Sequence, residues 1–388
     1  MCPSIKGLWG ARRTNKMSVR VFPVMCQAQG GQCVLNNFNK MKENKIDVAI
    51  LGCTGAVGQK LVSLLGDHPL FNIRELVASD RSAGQRYSDR VVWKEPARIP
   101  EGVGDIVIRR LSDKLESRLL FSGLDAAVAG EAESDYASRG HIVVSNSRNH
   151  RMDTYVPLVI PEINASHLDI VKMQVTYGKS GGFIVTNPNC STIVLALAIY
   201  PVFAGFGLEK VMAVTMQAIS GGGYPGVPSM DILGNVIPYI GGEEEKIERE
   251  LSKIFGACGN DGIVPADFAV SATCNRVPVR NGHTVCISFS TKKKAGREGL
   301  LDAMEHCYPD LGLYSSPDKV LEYNNCDDRP QPLMDLQAGH GMTVTAGRLR
   351  PCNILDWKMT AFGHNTVRGA AGAAVLNAEL LVRKGFLK

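Results

Sequence analysis

Two short stretches carry side chains able to form and break bonds. Thr186-Asn187-Pro188-Asn189-Cys190-Ser191-Thr192-Ile193 sets a cysteine at a polar turn immediately before an apolar helix. The N–H groups at a helix N-terminus favour a thiolate and lower its pKa, which makes Cys190 a usable nucleophile. Cys53, Cys258, Cys274, Cys286, Cys307, Cys326 and Cys352 lack that setting and read as packing thiols. A cysteine nucleophile needs a proton partner, and Asn281-Gly282-His283-Thr284 opens an alternating strand with a histidine. Sequence leaves open whether His283 meets Cys190. Arg276 stands in a strand otherwise rich in small and apolar side chains, where a guanidinium pairs either with a substrate carboxylate or with an acid of the chain. Glu243-Glu244-Glu245-Lys246 begins a helix, and acids there complement its dipole on a solvated face unless one of them has a ligand.

A second kind of site is written in backbone. Gly52-Cys53-Thr54-Gly55-Ala56-Val57-Gly58 follows a strand and opens a helix. In that context glycines let the main chain approach a pyrophosphate, held by N–H groups of the helix N-terminus. The spacing is G-x-x-G-x-x-G, and Gly52, Thr54, Gly55, Ala56 and Val57 are the expected cofactor contacts. About 20 residues on, where the adenosine ribose belongs, stands Ser79-Asp80-Arg81-Ser82. Asp80 alone would repel a 2′-phosphate, whereas Arg81 with Ser79 and Ser82 supplies donors for one, so NADP(H) is expected rather than NAD.

The elements that must position these groups follow from patterning. Ile46–Leu51, helix 57–68 and 73–79 form a βαβ opening, with further strands expected at Asp105–Ile108, Ala126–Val128 and Ile142–Ser145 in a doubly wound sheet. After Asn189 the pattern changes to long alternating strands (Val211–Ala218, Phe268–Val279, Thr284–Thr291) and helices at Glu243–Phe255 and Glu298–Cys307, an α+β arrangement with an antiparallel or mixed sheet. A final helix, Arg368–Arg383, is expected to pack back on the first domain. The longest apolar stretch, Ile193–Phe206, contains Pro201 and falls short of the ~18 residues a bilayer span needs.

Of 43 basic side chains, seven lie in residues 1–42, which hold no acid; the rest of the chain carries 36 against 38 acidic. The folded body is therefore not basic, and neither a nucleic-acid partner nor a membrane is expected. Residues 1–42 read either as an organelle-targeting leader or as a dispensable or mis-assigned start. Eleven irregularly spaced cysteines with no C-x-x-C pair fit a reducing compartment, with a cytoplasmic setting expected and no metal site.

At these residues the sequence resembles aspartate-semialdehyde dehydrogenases of the archaeal and fungal branch. The likeness runs over 46–388 through LGCTGAVGQ (51–59), SDRSAGQRY (79–87), TNPNCSTI (186–193), MQAISGGGYPGVPSMDIL (216–233), IPYIGGEEEK (237–246), SATCNRVPV (271–279), NGHT (281–284) and GHNTVRGAAG (363–372). It implies an α/β chain with a Rossmann-type dinucleotide-binding domain at 43–186, completed by 363–388, and an α+β catalytic and dimerisation domain with a mixed sheet at 187–362. It implies NADPH-dependent reduction of L-4-aspartyl phosphate to L-aspartate 4-semialdehyde with release of phosphate, toward lysine, methionine, threonine and isoleucine, in a homodimer or homotetramer. Matched residue by residue, Cys190 is the nucleophile, His283 the acid/base and Gln217 the substrate-orienting residue. Arg276 takes the α-carboxylate and Glu243 the α-ammonium; Lys246 and Arg148 belong to phosphate binding, with Asn189 an auxiliary donor. Ser220 and Gly221 lie near the cofactor, and Asn365 matches a partner of the nicotinamide carboxamide.

Cys53 stands where the family has alanine, which would make the cofactor loop sensitive to oxidants, and residues 1–42 have no counterpart. Two other readings stay open: another acyl-phosphate reductase, such as N-acetyl-glutamyl-phosphate reductase, and a non-catalytic NADP-binding sensor. Glu243 argues against the first, since an acetylated amine offers no ammonium. The presence of both Cys190 and His283 argues against the second.

Overall fold

The computed structural model of the protein describes residues 45–387, so the expectations for residues 1–42 lie outside the described residues. Five parallel strands, β1 (Ile46–Leu51), β2 (Phe71–Val77), β3 (Leu119–Ser122), β4 (Ile142–Ser145) and β5 (Phe183–Thr186), form one sheet in the order β2-β1-β3-β4-β5. The last three are short and buried at every residue, as strands of a parallel sheet covered on both faces must be. Helix α1 (Ala56–Leu65) links β1 to β2, and α2 (Ala126–Ser138) links β3 to β4. The chain reverses its direction of winding between β1 and β3, which opens a crevice at their C-terminal ends.

Two expected strands are corrected. Ala126–Val128 opens α2 instead: Asp125 caps it by accepting from the Ala127 N–H at 2.9 Å, and the strand lies upstream at Leu119–Ser122. At 105–108 the chain makes a short 3-10 turn (Val103–Asp105) and then only single bridges, Arg86 to Val107 and Val77 to Arg109, too few for a strand.

The second sheet is mixed. Its strands are β6 (Leu208–Gln217), β9 (Ala269–Arg276), β10 (His283–Thr291), β11 (Leu321–Asn324), β12 (Val344–Pro351) and β13 (Trp357–Gly363), ordered β11-β12-β13-β10-β6-β9; Ala257–Gly259 (β7) and Gly262–Val264 (β8) form a separate hairpin. One face packs on α3 (Cys190–Phe206), α4 (Glu243–Ile254) and α5 (Arg297–His306) around a large apolar core. Helix α3 is apolar all round and buried from Ser191 to Ile199, as a helix at the centre of a fold must be. Pro201 has no N–H for the carbonyl of Leu197 one turn earlier, and the Tyr308 hydroxyl donates to that carbonyl instead. The opposite sheet face leaves Met212, Val214 and Cys286 exposed. The closing helix α6 (Gly372–Arg383) packs on α1 and β4. Among the described residues no helix is long and apolar enough to cross a membrane.

Candidate active site

Cys190 is the first residue of α3, delivered by the turn after β5. Asn189 caps the helix: its Oδ1 accepts from the N–H groups of Ser191 (2.9 Å) and Thr192 (3.3 Å). Cys190 Sγ lies 3.1 Å from Nε2 of His283, the first residue of β10, so the two residues 93 apart in sequence do meet. His283 Nδ1 accepts the backbone N–H of Ala218 at 3.0 Å. A nitrogen that accepts carries no proton, so the neutral ring holds its hydrogen on Nε2, facing the sulfur. Burial and the Arg276 charge hold this imidazole down to about 3. Burial and Glu243 push the Cys190 thiol up to about 12, against the pull of Arg151 and Arg276. The expectation of a low thiol pKa at the helix start is thus corrected for the ligand-free site, where desolvation outweighs the helix N-terminus and both partners are neutral at pH 7.

Strand register assembles the rest. Gln217 ends β6 and Arg276 ends β9; these parallel strands pair residue for residue, Gln217 opposite Arg276, while His283 begins the antiparallel neighbour β10. The three side chains therefore leave one end of three adjacent strands. Glu243 at the start of α4 is buried, with Oε2 accepting from Asn189 Nδ2 (2.8 Å) and Gln217 Nε2 (3.1 Å) and Oε1 from Lys246 Nζ (2.5 Å). Burial raises its pKa, but the Lys246 charge and these hydrogen bonds outweigh it and keep the carboxyl below the usual range. Arg276 Nη1 donates to the Ala218 carbonyl at 2.7 Å, so its guanidinium is only partly engaged. The backbone of Gly221 presses on the same spot: a Cβ there would lie 3.0 Å from Arg276 Nη1 and 3.1 Å from His283 Cε1.

The pattern of the sequence missed a second layer. Glu250 Oε2 accepts the backbone N–H of Asn189 (2.6 Å), and its Oε1 accepts from Arg151 Nη1 (2.9 Å), whose other end donates to the Asn146 carbonyl (2.8 Å). Lys253 Nζ donates to the carbonyls of Arg151, Asp153 and Val156, pinning the loop that carries the arginine. A signal existed: Ile247, Glu250, Leu251 and Ile254 share the buried face of α4, so one acid lies on an apolar stripe. Arg148, by contrast, stands exposed, and among the described residues none of the cluster's hydrogen bonds reaches its side chain.

At the crevice between β1 and β3 the glycines are sterically required. A Cβ on Gly58 would lie 2.2 Å from the Gly52 carbonyl oxygen, and one on Gly52, at φ +77°, 2.7 Å from that of Gly123. No side chain caps α1 at Gly55, so the N–H groups of its first turn, Ala56 and Val57 among them, are left without a side-chain cap at the helix start. This cradle fits a dinucleotide pyrophosphate. Ser79 and Arg81 are exposed beyond β2, Ser82 is buried with its N–H on the Ser79 carbonyl (2.8 Å), and Asp80 faces Arg110 at 3.9 Å. Arg110 is a further cation beside Asp80 that the sequence reading overlooked. Asn365 is buried, donating to Ser220 Oγ (2.9 Å) and accepting from the Gly282 N–H (2.8 Å). Cys53 is fully buried and its thiol is pushed up to about 12 by that burial, so the expected oxidant sensitivity of the loop is corrected.

Known proteins are similar to this chain in sequence and in fold. Residues 47–171 match the family model for the semialdehyde dehydrogenase NAD-binding domain, and 199–368 that for the semialdehyde dehydrogenase dimerisation domain. The aspartate-semialdehyde dehydrogenase of Archaeoglobus fulgidus is 43% identical over 344 residues, covering 88% of this chain and all of the relative. That of Schizosaccharomyces pombe is 43% identical, covering 88% of this chain and 99% of its own. A crystal structure of the Candida albicans aspartate-semialdehyde dehydrogenase with NADP superposes with a TM-score of 0.81 at 40% identity, covering 89% of this chain and 100% of that one. With a nucleotide crevice on one sheet and a cysteine–histidine pair at the end of the other, the chain belongs to the aspartate-semialdehyde dehydrogenase family of oxidoreductases.

Proposed function

We propose that the protein reduces L-4-aspartyl phosphate to L-aspartate 4-semialdehyde with NADPH, through a thioester on Cys190, in the biosynthesis of lysine, methionine, threonine and isoleucine. The observation that carries this is the 3.1 Å contact of Cys190 Sγ with His283 Nε2, flanked by a buried anion, Glu243, and a partly engaged cation, Arg276. An aminoacyl phosphate needs that set: a nucleophile at the acyl carbon, a cation for the α-carboxylate and an anion for the α-ammonium.

Cys190 sulfur attacks the acyl carbon and phosphate leaves, taking up the thiol proton. NADPH supplies the hydride that turns the thioester into a thiohemiacetal. The thiohemiacetal, formed as its oxyanion, re-forms the C=O bond as the C–S bond breaks, and the freed Cys190 thiolate takes up a proton from solvent. His283 offers its Nε2–H to the sulfur and to the neighbouring oxygen; taking a proton from the thiol would require the ring to give up the Ala218 N–H, so its acid/base work is tied to that contact. Gln217 orients the acyl group, and Lys246, Arg148 and Asn189 serve phosphate or its neighbours, Lys246 and Asn189 also holding Glu243. We read 43–186 with 363–388 as the unit for NADP(H), and 187–362 as the catalytic and dimerisation unit. In a homodimer or homotetramer of the cytoplasm, the exposed face of the mixed sheet around Met212 and Val214 is the subunit interface.

The test is a phosphate-free burst. Semialdehyde with NADP and no phosphate should yield about one equivalent of NADPH per site and leave one aspartyl group, located by mass, on the peptide holding Cys190. Cys190→Ala should abolish burst and turnover while still binding NADPH. Aspartyl mass on another residue, or substantial turnover by the variant, would remove thioester chemistry from Cys190.

A further inference from the structure

One stretch of the C-terminal segment lies against Cys190 and against Gly282, the residue preceding His283. Between β13 and α6 the chain makes a π-helical turn, Val367–Ala371, with Gly369 N–H bonded to the His364 carbonyl (3.0 Å) and Ala371 N–H to that of Thr366 (3.1 Å). Such wide turns recur at functional sites because they bulge backbone into a place a regular helix cannot reach. Here the bulge lies against the nucleophile: a Cβ on Gly369 would stand 2.6 Å from Cys190 Cβ and 3.1 Å from its Cα. Asn187 Nδ2 donates to the Ala370 carbonyl at 3.0 Å, tying the approach to Cys190 to the same turn. Arg368 fastens it from behind, fully buried and forked onto Glu162 with both contacts at 2.7 Å. Four residues before Gly369, Asn365 accepts the N–H of Gly282, the residue preceding His283, and donates to Ser220.

Cys190 and His283 ride on a helix and a strand far apart in sequence, and the segment Asn365–Gly369 meets Cys190 through Gly369 and the backbone of Gly282, beside His283, through Asn365. We infer that the segment Asn365–Gly369 sets the Cys190–His283 separation, with Gly369 and Asn365 acting as positioning residues and Arg368–Glu162 as the clamp that holds the turn. The inference rests on the proposed chemistry for its kinetic readout alone; alkylation of Cys190 reads the geometry whatever the substrate.

Three variants test it. Gly369→Ala crowds Cys190, Asn365→Ala releases Gly282, and Asn365→Asp keeps an acceptor for Gly282 while losing the donor to Ser220. For each, kcat, KM for semialdehyde and phosphate, the NADPH Kd, the Tm and the pH dependence of iodoacetamide alkylation at Cys190 are measured. Gly369→Ala and Asn365→Ala should lower kcat about 100-fold, the loss a misplacement of about 1 Å can cause, with KM within about threefold. Both should also change the alkylation rate at pH 8 by at least about threefold, since the sulfur's neighbours shift. Gly369→Ala should bind NADPH as the parent does, and Asn365→Asp should recover to within about tenfold of the parent kcat. An unchanged alkylation profile in both alanine variants, or a kcat within about threefold of the parent, would overturn the inference. If Gly369→Ala does not fold, the Asn365→Ala and Asn365→Asp pair decides by the same criteria. If the parent enzyme fails on the proposed substrate, that failure belongs to the functional reading, and the alkylation comparison still decides the role of the turn.

Discussion

Replacing Glu250 by glutamine alters no volume but removes the charge shared by Arg151 and the Asn189 N–H. Glu250 lies 2.9 Å from Arg151 Nη1 and 2.6 Å from Asn189 N, and Arg151 is 7% exposed with its Nε lacking a partner among the described residues. The variant therefore leaves a guanidinium buried beside a neutral amide. Breaking a buried pair by removing one partner costs about 3–5 kcal/mol. Glutamine keeps one acceptor, so the lower end, about 3 kcal/mol, applies, and at about 2–4 °C per kcal/mol the melting midpoint should fall by roughly 6–12 °C. Removing the arginine as well eliminates the stranded charge: Glu250→Gln with Arg151→Met should be more stable than Glu250→Gln alone, with a coupling of about 2–3 kcal/mol in the double-mutant cycle. The assay is thermal unfolding followed by fluorescence at one scan rate, repeated as urea midpoints. A single variant melting within about 2 °C of the parent, or strictly additive effects, would refute the claim that this pair is a coupled support under the nucleophile.

Three further outcomes follow from the site. Because burial holds His283 near 3 and Cys190 near 12, neither titrates between pH 6 and 9 in the ligand-free enzyme, and Cys190 alkylation should climb about tenfold per pH unit without a plateau; an inflection near 6.5 that His283→Gln abolishes would contradict the burial argument. Glu243→Gln should raise the KM for semialdehyde about tenfold or more, the worth of a charge-assisted hydrogen bond, with the phosphate KM little changed; equal constants would remove the ammonium contact. Arg81→Ala should reduce the preference for NADPH over NADH, as a ratio of kcat/KM, by about tenfold. An unchanged ratio would shift the 2′-phosphate to Arg110.

The chemistry was more legible than the scaffold. Cys190 and His283 announced themselves by polar turns beside regular elements, and the strand–glycine–helix order at 46–65 marked the crevice. The core strands of the parallel sheet did not: Leu119–Ser122 and Phe183–Thr186 are four-residue apolar runs without alternation, and nothing in their periodicity separates them from the apolar start of α2. Asp125 was the cue for that helix, as a side chain that caps it. Arg151 and Glu250 escaped because their partnership spans 99 residues and exists only once α4 lies against the loop after β4. The π-helical turn escaped for a related reason, since glycines and alanines at 369–374 fit a regular helix equally well until Cys190 is seen behind them.

The central claim is the identity of the substrate, and phosphate-dependent NADP reduction measures it directly. L-aspartate 4-semialdehyde, N-acetyl-glutamate semialdehyde and glyceraldehyde 3-phosphate should be compared under one set of conditions by the growth of NADPH absorbance. With Glu243 taking the α-ammonium and Arg276 the α-carboxylate, as proposed, kcat/KM for the first should exceed the others by about 100-fold or more. Equal or greater turnover of the acetylated substrate, or none of the three with NADPH still bound, would contradict the account.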